Sequence, residues 1–544
     1  MTNGPLIVQS DKTALLEVDH PEASDARHDL AIFAELERAP EHIHTYRITR
    51  LGLWNARAAG HDSDFVLGVL DKYAKFAVPS GVRTDIAETM NRYGRLSIRK
   101  SPAGELELYS TERAILLEAS KHRKIAELLD GPISNEAFRI QPWARGQVKQ
   151  ELLKLGWPAE DFAGYAEGTP HEIALGAGDW KIRDYQTKAV EKFWEGGSGV
   201  VVLPCGAGKT IVGAAAMATA KTNTLILVTN TVSARQWKAE LLKRTTLTEE
   251  EIGEYSGSMK EVKPVTIATY QILTTKRKAE YAHLALLNAN DWGLIVYDEV
   301  HLLPAPIFKM TADLQARRRL GLTATLVRED GKEGDVFSLI GPKRFDAPWK
   351  EIEAQGYIAP AACYEVRIDL PDEERMNYAI SSQEDRYRIA ATSPTRIPVI
   401  KQLMKKHAGE PTLVIGQYLD QIHEVSAALQ VPEITGETPV DERERLFEQF
   451  RTGQITTLVV SKVANFSVDL PEASVAIQIS GSYGSRQEEA QRLGRLLRPK
   501  ADGRSASFYT LISRDTVDQD FAQNRQRFLA EQGYSYEIID AHSL

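Results

Sequence analysis

The 544-residue chain has only two cysteines, Cys205 and Cys363, far apart in sequence. Two thiols cannot supply a zinc finger or a four-cysteine iron–sulfur site, and they predict no disulfide framework. No run of 18 or more apolar residues occurs, so no membrane-spanning helix is expected. The opening MTNGPLIVQSDKTALLEVDH lacks a basic segment leading into an apolar run and does not read as a secretory signal. A reducing, cytoplasmic setting is the expectation. Positive charge is not in excess either: 66 Lys+Arg stand against 75 Asp+Glu, a net of −9. That excludes a protein coated in positive charge but not a local basic groove for nucleic acid. No period of 20–50 residues points to a solenoid.

What is present is ordinary globular composition, 43% apolar and 26% charged, in a length that suits about three or four domains. Charge is uneven. Residues 151–180 carry one lysine against six acids, whereas residues 486–514 carry seven Lys+Arg against three acids. Residues 1–125 mix helical periodicity (HDLAIFAELER, DSDFVLGVLDKYAKFA) with short β-like pieces (GRLSIRK, GELELYST) joined by SPAG, which reads as a hairpin. They predict an α+β accessory domain. Residues 126–178 read as a second small unit that ends in an acidic connection. From Trp180 onward short apolar strands alternate with helices in two series, the pattern of parallel sheets covered by helices on both faces. The fold class is α/β, with two parallel-sheet domains in tandem, 179–350 and 351–544, after smaller α+β domains.

The strongest chemistry lies in GAGKT, residues 206–210, between the apolar run GVVVL and a helix. Gly206, Ala207 and Gly208 let backbone N–H groups turn onto a phosphate at a helix N-terminus. Lys209 is placed for the β/γ-phosphates and the Thr210 hydroxyl for Mg²⁺. The first glycine of the full P-loop pattern is replaced by Leu203, which is followed by Pro204 and Cys205. A second motif, Asp298 and Glu299 of DEVH, stands at the carboxyl end of the strand run LIVY, the edge where open α/β sheets bind ligands. Asp298 suits Mg²⁺, and Glu299 suits the base for an attacking water. A third segment, SRQEEAQRLGRLLR, opens with a Ser485–Glu488 capping box. It places Gln491, Arg495 and Arg498 at i, i+4 and i+7 on one helical face, a pair of candidate arginine fingers. Thr229, Asn230, Thr269 and Ser461 lie at strand ends from which phosphate contacts to a nucleic-acid strand would come; ordinary capping explains each of them too.

The order IRDYQ, GAGKT, DEVH, LTAT and QRLGRLLR resembles helicase superfamily two over residues 180–515. The resemblance implies two RecA-like domains with ATP between them. Arg183 and Gln186 would then serve the nucleotide, Gln186 at adenine, and Thr323 and Thr325 would couple nucleotide state to DNA grip. A narrower resemblance is to the XPB helicases, carried by Arg328, Glu329 and Asp330 after LTAT, by QWK, SKV and DLP, and by the long run into the arginine helix. It implies a 3′–5′ DNA helicase of a prokaryotic form, located at the nucleoid and used in repair. Its cofactors would be ATP and Mg²⁺, its nucleic acid single-stranded or forked DNA, and its protein partner a repair nuclease. It further implies a wedge at residues 328–330 and a thumb-like helical insertion near 371–395. Where the family has Gly-Asp-Thr, Ala464, Asn465 and Phe466 stand here. Two other classes share these motifs: a double-strand translocase or restriction-type motor that separates no strands, and a P-loop switch protein.

Overall fold

The computed structural model describes residues 4–39, 42–178, 180–204, 206–257, 259–277, 280–324, 332–347, 352, 361–461, 473–481, 506–531 and 536–544. Two small sheets come first. In one, the antiparallel strands Leu6–Val8, Thr13–Glu17, Ile43–Ile48 and Ala34–Arg38 lie in that order, and helices pack on them. Of the helix expected over HDLAIFAELER only the first three residues, His28–Leu30, are helical. A helix covers Ala23–Leu30, and AELER is a strand. Its alternation buries Ala34 and Leu36 while Glu35 and Glu37 lie half-buried on the other face, so pairing with Ile43–Ile48 overrides helical propensity.

The second sheet runs Leu129–Pro132, Ala137–Ile140, Leu106–Tyr109, Leu96–Lys100 and Ala159–Asp161. The hairpin read from SPAG is there, with Ile98 opposite Leu108. The sheet spans residue 125, so a division at that point cuts through its hydrogen bonding. Arg145 grips Asp161 with two hydrogen bonds of 2.8 and 3.0 Å, and Lys149 adds a third of 2.9 Å. The same Lys149 also bonds to Gln315, which precedes a strand of the first large sheet, so this buried cluster fastens the small sheet to the large one.

Two seven-stranded parallel sheets form the rest. The first runs Ile252–Tyr255, Val265–Thr269, Thr224–Val228, Leu294–Asp298, Arg318–Thr323, Gly199–Val202, Lys343–Asp346. The second runs Glu433–Ile434, Thr457–Ser461, Thr412–Gly416, Val475–Gln478, Ala506–Ser513, Ala361–Ile368, Tyr536–Asp540. Counted in chain order, both are 3-4-2-5-6-1-7. Their central strands are runs such as TLILV, VTIAT, TLVIG and TLVVS, buried on both faces as parallel strands require. Residues 371–395 contain two helices, Asp372–Ile380 and Gln383–Ala391. Among the described residues, no helix is long and apolar enough to cross a membrane.

Candidate nucleotide site and nucleic-acid interface

Register decides what meets at the carboxyl edge of the first sheet. Val202 lies opposite Thr323, and Asp298 opposite Leu322, so three neighbouring strands end level. The loop after Val202, the DEVH turn and the start of LTAT therefore share one edge.

The loop turns on two glycines in the left-handed region, Gly206 at φ +80° and Gly208 at φ +82°, and the helix Lys209–Ala220 begins directly after. A side chain at Gly208 would be strained by that φ. Its Cβ would also come 2.4 Å from the Gln186 amide. Gln186 is fully buried. Its Oε1 accepts from the Arg183 N–H at 2.9 Å, and its Nε2 donates to the Ala207 carbonyl at 3.0 Å. Tyr185 donates to the same carbonyl at 2.7 Å, and the Arg183 guanidinium donates to the Tyr185 hydroxyl at 2.9 Å. Arg183, Tyr185 and Gln186 thus brace the phosphate loop from behind. Pro204 is buried beneath it, and Thr210 stands half-buried at the first turn of the helix.

Opposite the loop, Glu299 takes up a left-handed backbone at φ +48°, unusual for a non-glycine residue, and aims its carboxylate at Lys209. Burial works to raise the Glu299 carboxyl, but the charges of Lys209 and His301 outweigh it and hold it below the ordinary value. Among the described residues, no such cation lies on the oxygens of Asp298. Its Oδ2 accepts from the Trp237 indole N–H at 2.9 Å, and its Oδ1 from the Glu299 N–H at 3.1 Å. Burial, then the neighbouring Glu299 charge, push it up to about 6. His301 shares a 2.7 Å hydrogen bond with the buried Thr323 hydroxyl and lies 3.6 Å from Glu299, so the DEVH turn and the LTAT strand are joined directly.

Two half-buried carboxylates, Asp298 and Glu299, therefore face one lysine. That deficit of positive charge, beside a glycine cradle and the Thr210 hydroxyl, fits a divalent cation carried with a polyphosphate.

The candidate DNA contacts are held as caps. Asn230 accepts from the Ser233 N–H at 2.9 Å at the start of helix Thr231–Arg244, and its amide donates to Thr229 at 3.3 Å. Thr269 caps Tyr270–Thr274. Ser461 ends its strand buried, and its hydroxyl has no hydrogen-bond partner among the described residues. Cys205, Thr325, Arg328, Glu329, Asp330, Gln491, Arg495 and Arg498 lie outside the described residues, as do residues 464–466.

Three contacts are not foreseeable from the sequence: Trp237 to Asp298, His301 to Thr323, and the Tyr270 hydroxyl to the Asp298 carbonyl at 2.7 Å. The first and third span 61 and 28 residues, and no local pattern carries them.

Comparison with known proteins agrees with this geometry. The family model described as ERCC3/RAD25/XPB C-terminal helicase matches residues 352–543. One described as Type III restriction enzyme, res subunit, matches 179–328, and one described as Helicase conserved C-terminal domain matches 6–132. The chain is 66% identical to the DNA 3′-5′ helicase XPB of Kineococcus radiotolerans, over 100% of this chain and 98% of that protein. It is 63% identical to the protein of the same name from Mycobacterium tuberculosis, over 100% and 99%. It is 31% identical to the general transcription and DNA repair factor IIH helicase/translocase subunit XPB/SSL2 of Saccharomyces cerevisiae, over 98% and 72%. With its phosphate loop, DEVH turn and duplicated parallel sheets, the chain belongs to the XPB family of DNA helicases.

Proposed function

We propose that this chain hydrolyses ATP at the carboxyl edge of its first parallel sheet and uses the cycle to open duplex DNA in the 3′–5′ direction, in the service of DNA repair. The observation that carries the reading is the level ending of three strands, which brings Lys209, Asp298 and Glu299 to one place. Gly206, Ala207 and Gly208 supply backbone N–H groups to the phosphates, and Lys209 supplies a point charge. Asp298 and Thr210 hold Mg²⁺, which when bound neutralises charge on the β/γ-phosphates. Glu299 orients and deprotonates the attacking water. Lys209 and Glu299 neutralise each other, so an entering phosphate takes Lys209 and releases Glu299 for its task. Gln491, Arg495 and Arg498 complete the site from the second sheet.

His301 and Thr323 pass the state of the DEVH turn to the strand that leads into Thr325 and the charged triplet 328–330, which we assign as the wedge between parting strands. Thr229, Asn230, Thr269 and Ser461 grip the DNA strand by its phosphates. A repair nuclease is the proposed protein partner, and the cytoplasm, at the nucleoid, the proposed location. The test is ATP turnover with and without single-stranded, forked and duplex DNA, and with RNA, together with strand displacement on a fork. Stimulation by forked DNA with displacement is expected. Stimulation by duplex without displacement would assign the chain to the translocases, and turnover indifferent to nucleic acid would make it a switch protein.

A further inference from the structure

The helix Thr231–Arg244 follows Thr229 and its cap Asn230, the turn proposed to hold DNA, and packs against the helix that opens at Lys209. Trp237 lies on its inner face and is 2% exposed. Its ring is wedged against the helix that opens at Lys209: a Cβ on Gly213 would come within 2.4 Å of the ring. The same ring sends its N–H to Asp298 Oδ2 at 2.9 Å. A buried indole N–H needs an acceptor, and a backbone carbonyl would serve. Here the acceptor is the carboxylate that closes the fifth strand. The other oxygen of that carboxylate is fixed by the Glu299 N–H at 3.1 Å. The two donors set the plane of the group, and Trp237 is the one that is a side chain. If the residue served packing alone, phenylalanine would fill the space and the N–H would be superfluous.

We propose that Trp237 is a positioning residue for the metal carboxylate: its N–H aims Asp298 toward Mg²⁺ and hangs that carboxylate on the helix that begins at the DNA-side turn. This deepens the functional reading above and rests on its assignment of Asp298. Partners in the outer shell of a metal site typically carry about 10–100-fold of metal affinity.

The test is the binding of a fluorescent, non-hydrolysable ATP analogue to the full chain, titrated with Mg²⁺ and repeated in EDTA. Trp237→Phe should leave affinity in EDTA unchanged and raise the Mg²⁺ concentration for half the metal effect by about 10–100-fold. Benzothienylalanine at position 237 keeps the shape of the indole and puts sulfur in place of the N–H. It should behave as Trp237→Phe does, and it answers for the case in which the smaller ring fails to fold. Asp298→Asn serves as the reference and should abolish the metal effect. If Asp298→Asn does so while both Trp237 replacements titrate like the parent, the role of Trp237 is overturned and that of Asp298 stands. Equal losses of affinity in EDTA and in Mg²⁺ would make Trp237 a packing residue and overturn the proposal. If Asp298→Asn itself leaves the Mg²⁺ dependence intact, the metal assignment falls and this inference falls with it.

Discussion

In each seven-stranded sheet the fifth strand along the chain lies beside the second and the sixth. In the first sheet that strand runs into Asp298, whose oxygens receive Trp237 and Glu299 N–H groups. In the second it ends at Gln478, which is buried and has no hydrogen-bond partner for either end of its amide among the described residues. The neighbouring strand ends repeat the contrast. Thr269 caps a helix, whereas the Ser461 hydroxyl and the Gln417 side-chain oxygen Oε1 are unpartnered among the described residues. One topology thus carries two kinds of edge. The first is charged, and its groups are bonded to one another. The second carries the buried Arg396–Asp518 pair, bonded to Ile479, Leu511 and Ser513, and beside it polar side chains that are left over among the described residues. Burying a polar group without a partner is costly, so such an edge fits a surface that is completed by something else.

The largest effect should therefore come from what the second half delivers. Arg495→Ala or Arg498→Ala is expected to reduce DNA-stimulated ATP turnover by about 10³–10⁵ while nucleotide affinity stays near its parent value. Affinity falling in step with rate would show ordinary ground-state binding instead and would erase the division of labour between the two edges.

Within the first edge, Glu299→Gln removes the proposed base and also the partner of Lys209. Turnover should fall by about 10²–10⁴. Nucleotide should bind more tightly than to the parent, because Lys209 no longer has to leave a carboxylate. Equilibrium binding beside steady-state turnover checks both halves. Unchanged affinity would mean that the Lys209–Glu299 pair does not compete with phosphate.

The first edge is far more legible in the sequence than its wiring. GAGKT and DEVH announce themselves because glycine, lysine and paired acids at strand ends have few structural reasons to be there. The central strands are legible too, since runs such as LIVY and TLILV are apolar without alternation. Strands such as LDGP (Leu129–Pro132) and AED (Ala159–Asp161) are not. Their composition argues against β structure, and only their neighbours in the sheet make them strands. AELER misleads for the same reason, because its residues are helix formers held extended by pairing. The QWK segment stands out only as a likeness, because a contact across 61 residues leaves no periodic trace.

The small N-terminal sheet gauges what an unpaired buried group costs where no ligand is expected. His44 is buried in strand Ile43–Ile48, and its Nδ1 has no hydrogen-bond partner among the described residues. Burial, with a smaller contribution from Arg27, pushes the imidazole down from 6.5 to about 4. Between those two values the unfolded chain binds a proton that the folded sheet refuses, so stability falls as pH drops through that window. The shift corresponds to about 3 kcal/mol at most. Thermal melting between pH 7 and pH 4 should show the loss, and His44→Leu should flatten it. An undiminished pH dependence in that variant would place the titrating group elsewhere.

The smallest expected effect tests the second edge itself. Gln478 lies between Ile415 and Thr510 in the sheet, on a strand otherwise made of Val475, Ala476 and Ile477. Folding strips water from both its donor and its acceptor, and no bond among the described residues repays that loss. Gln478→Leu keeps nearly the same volume and removes both polar atoms. It should therefore raise stability by about 1–3 kcal/mol, read as a higher unfolding midpoint in urea with an unchanged slope. A loss of that size would show instead that the amide is bonded in solution. The second edge would then be as self-satisfied as the first, and the contrast between them would be lost.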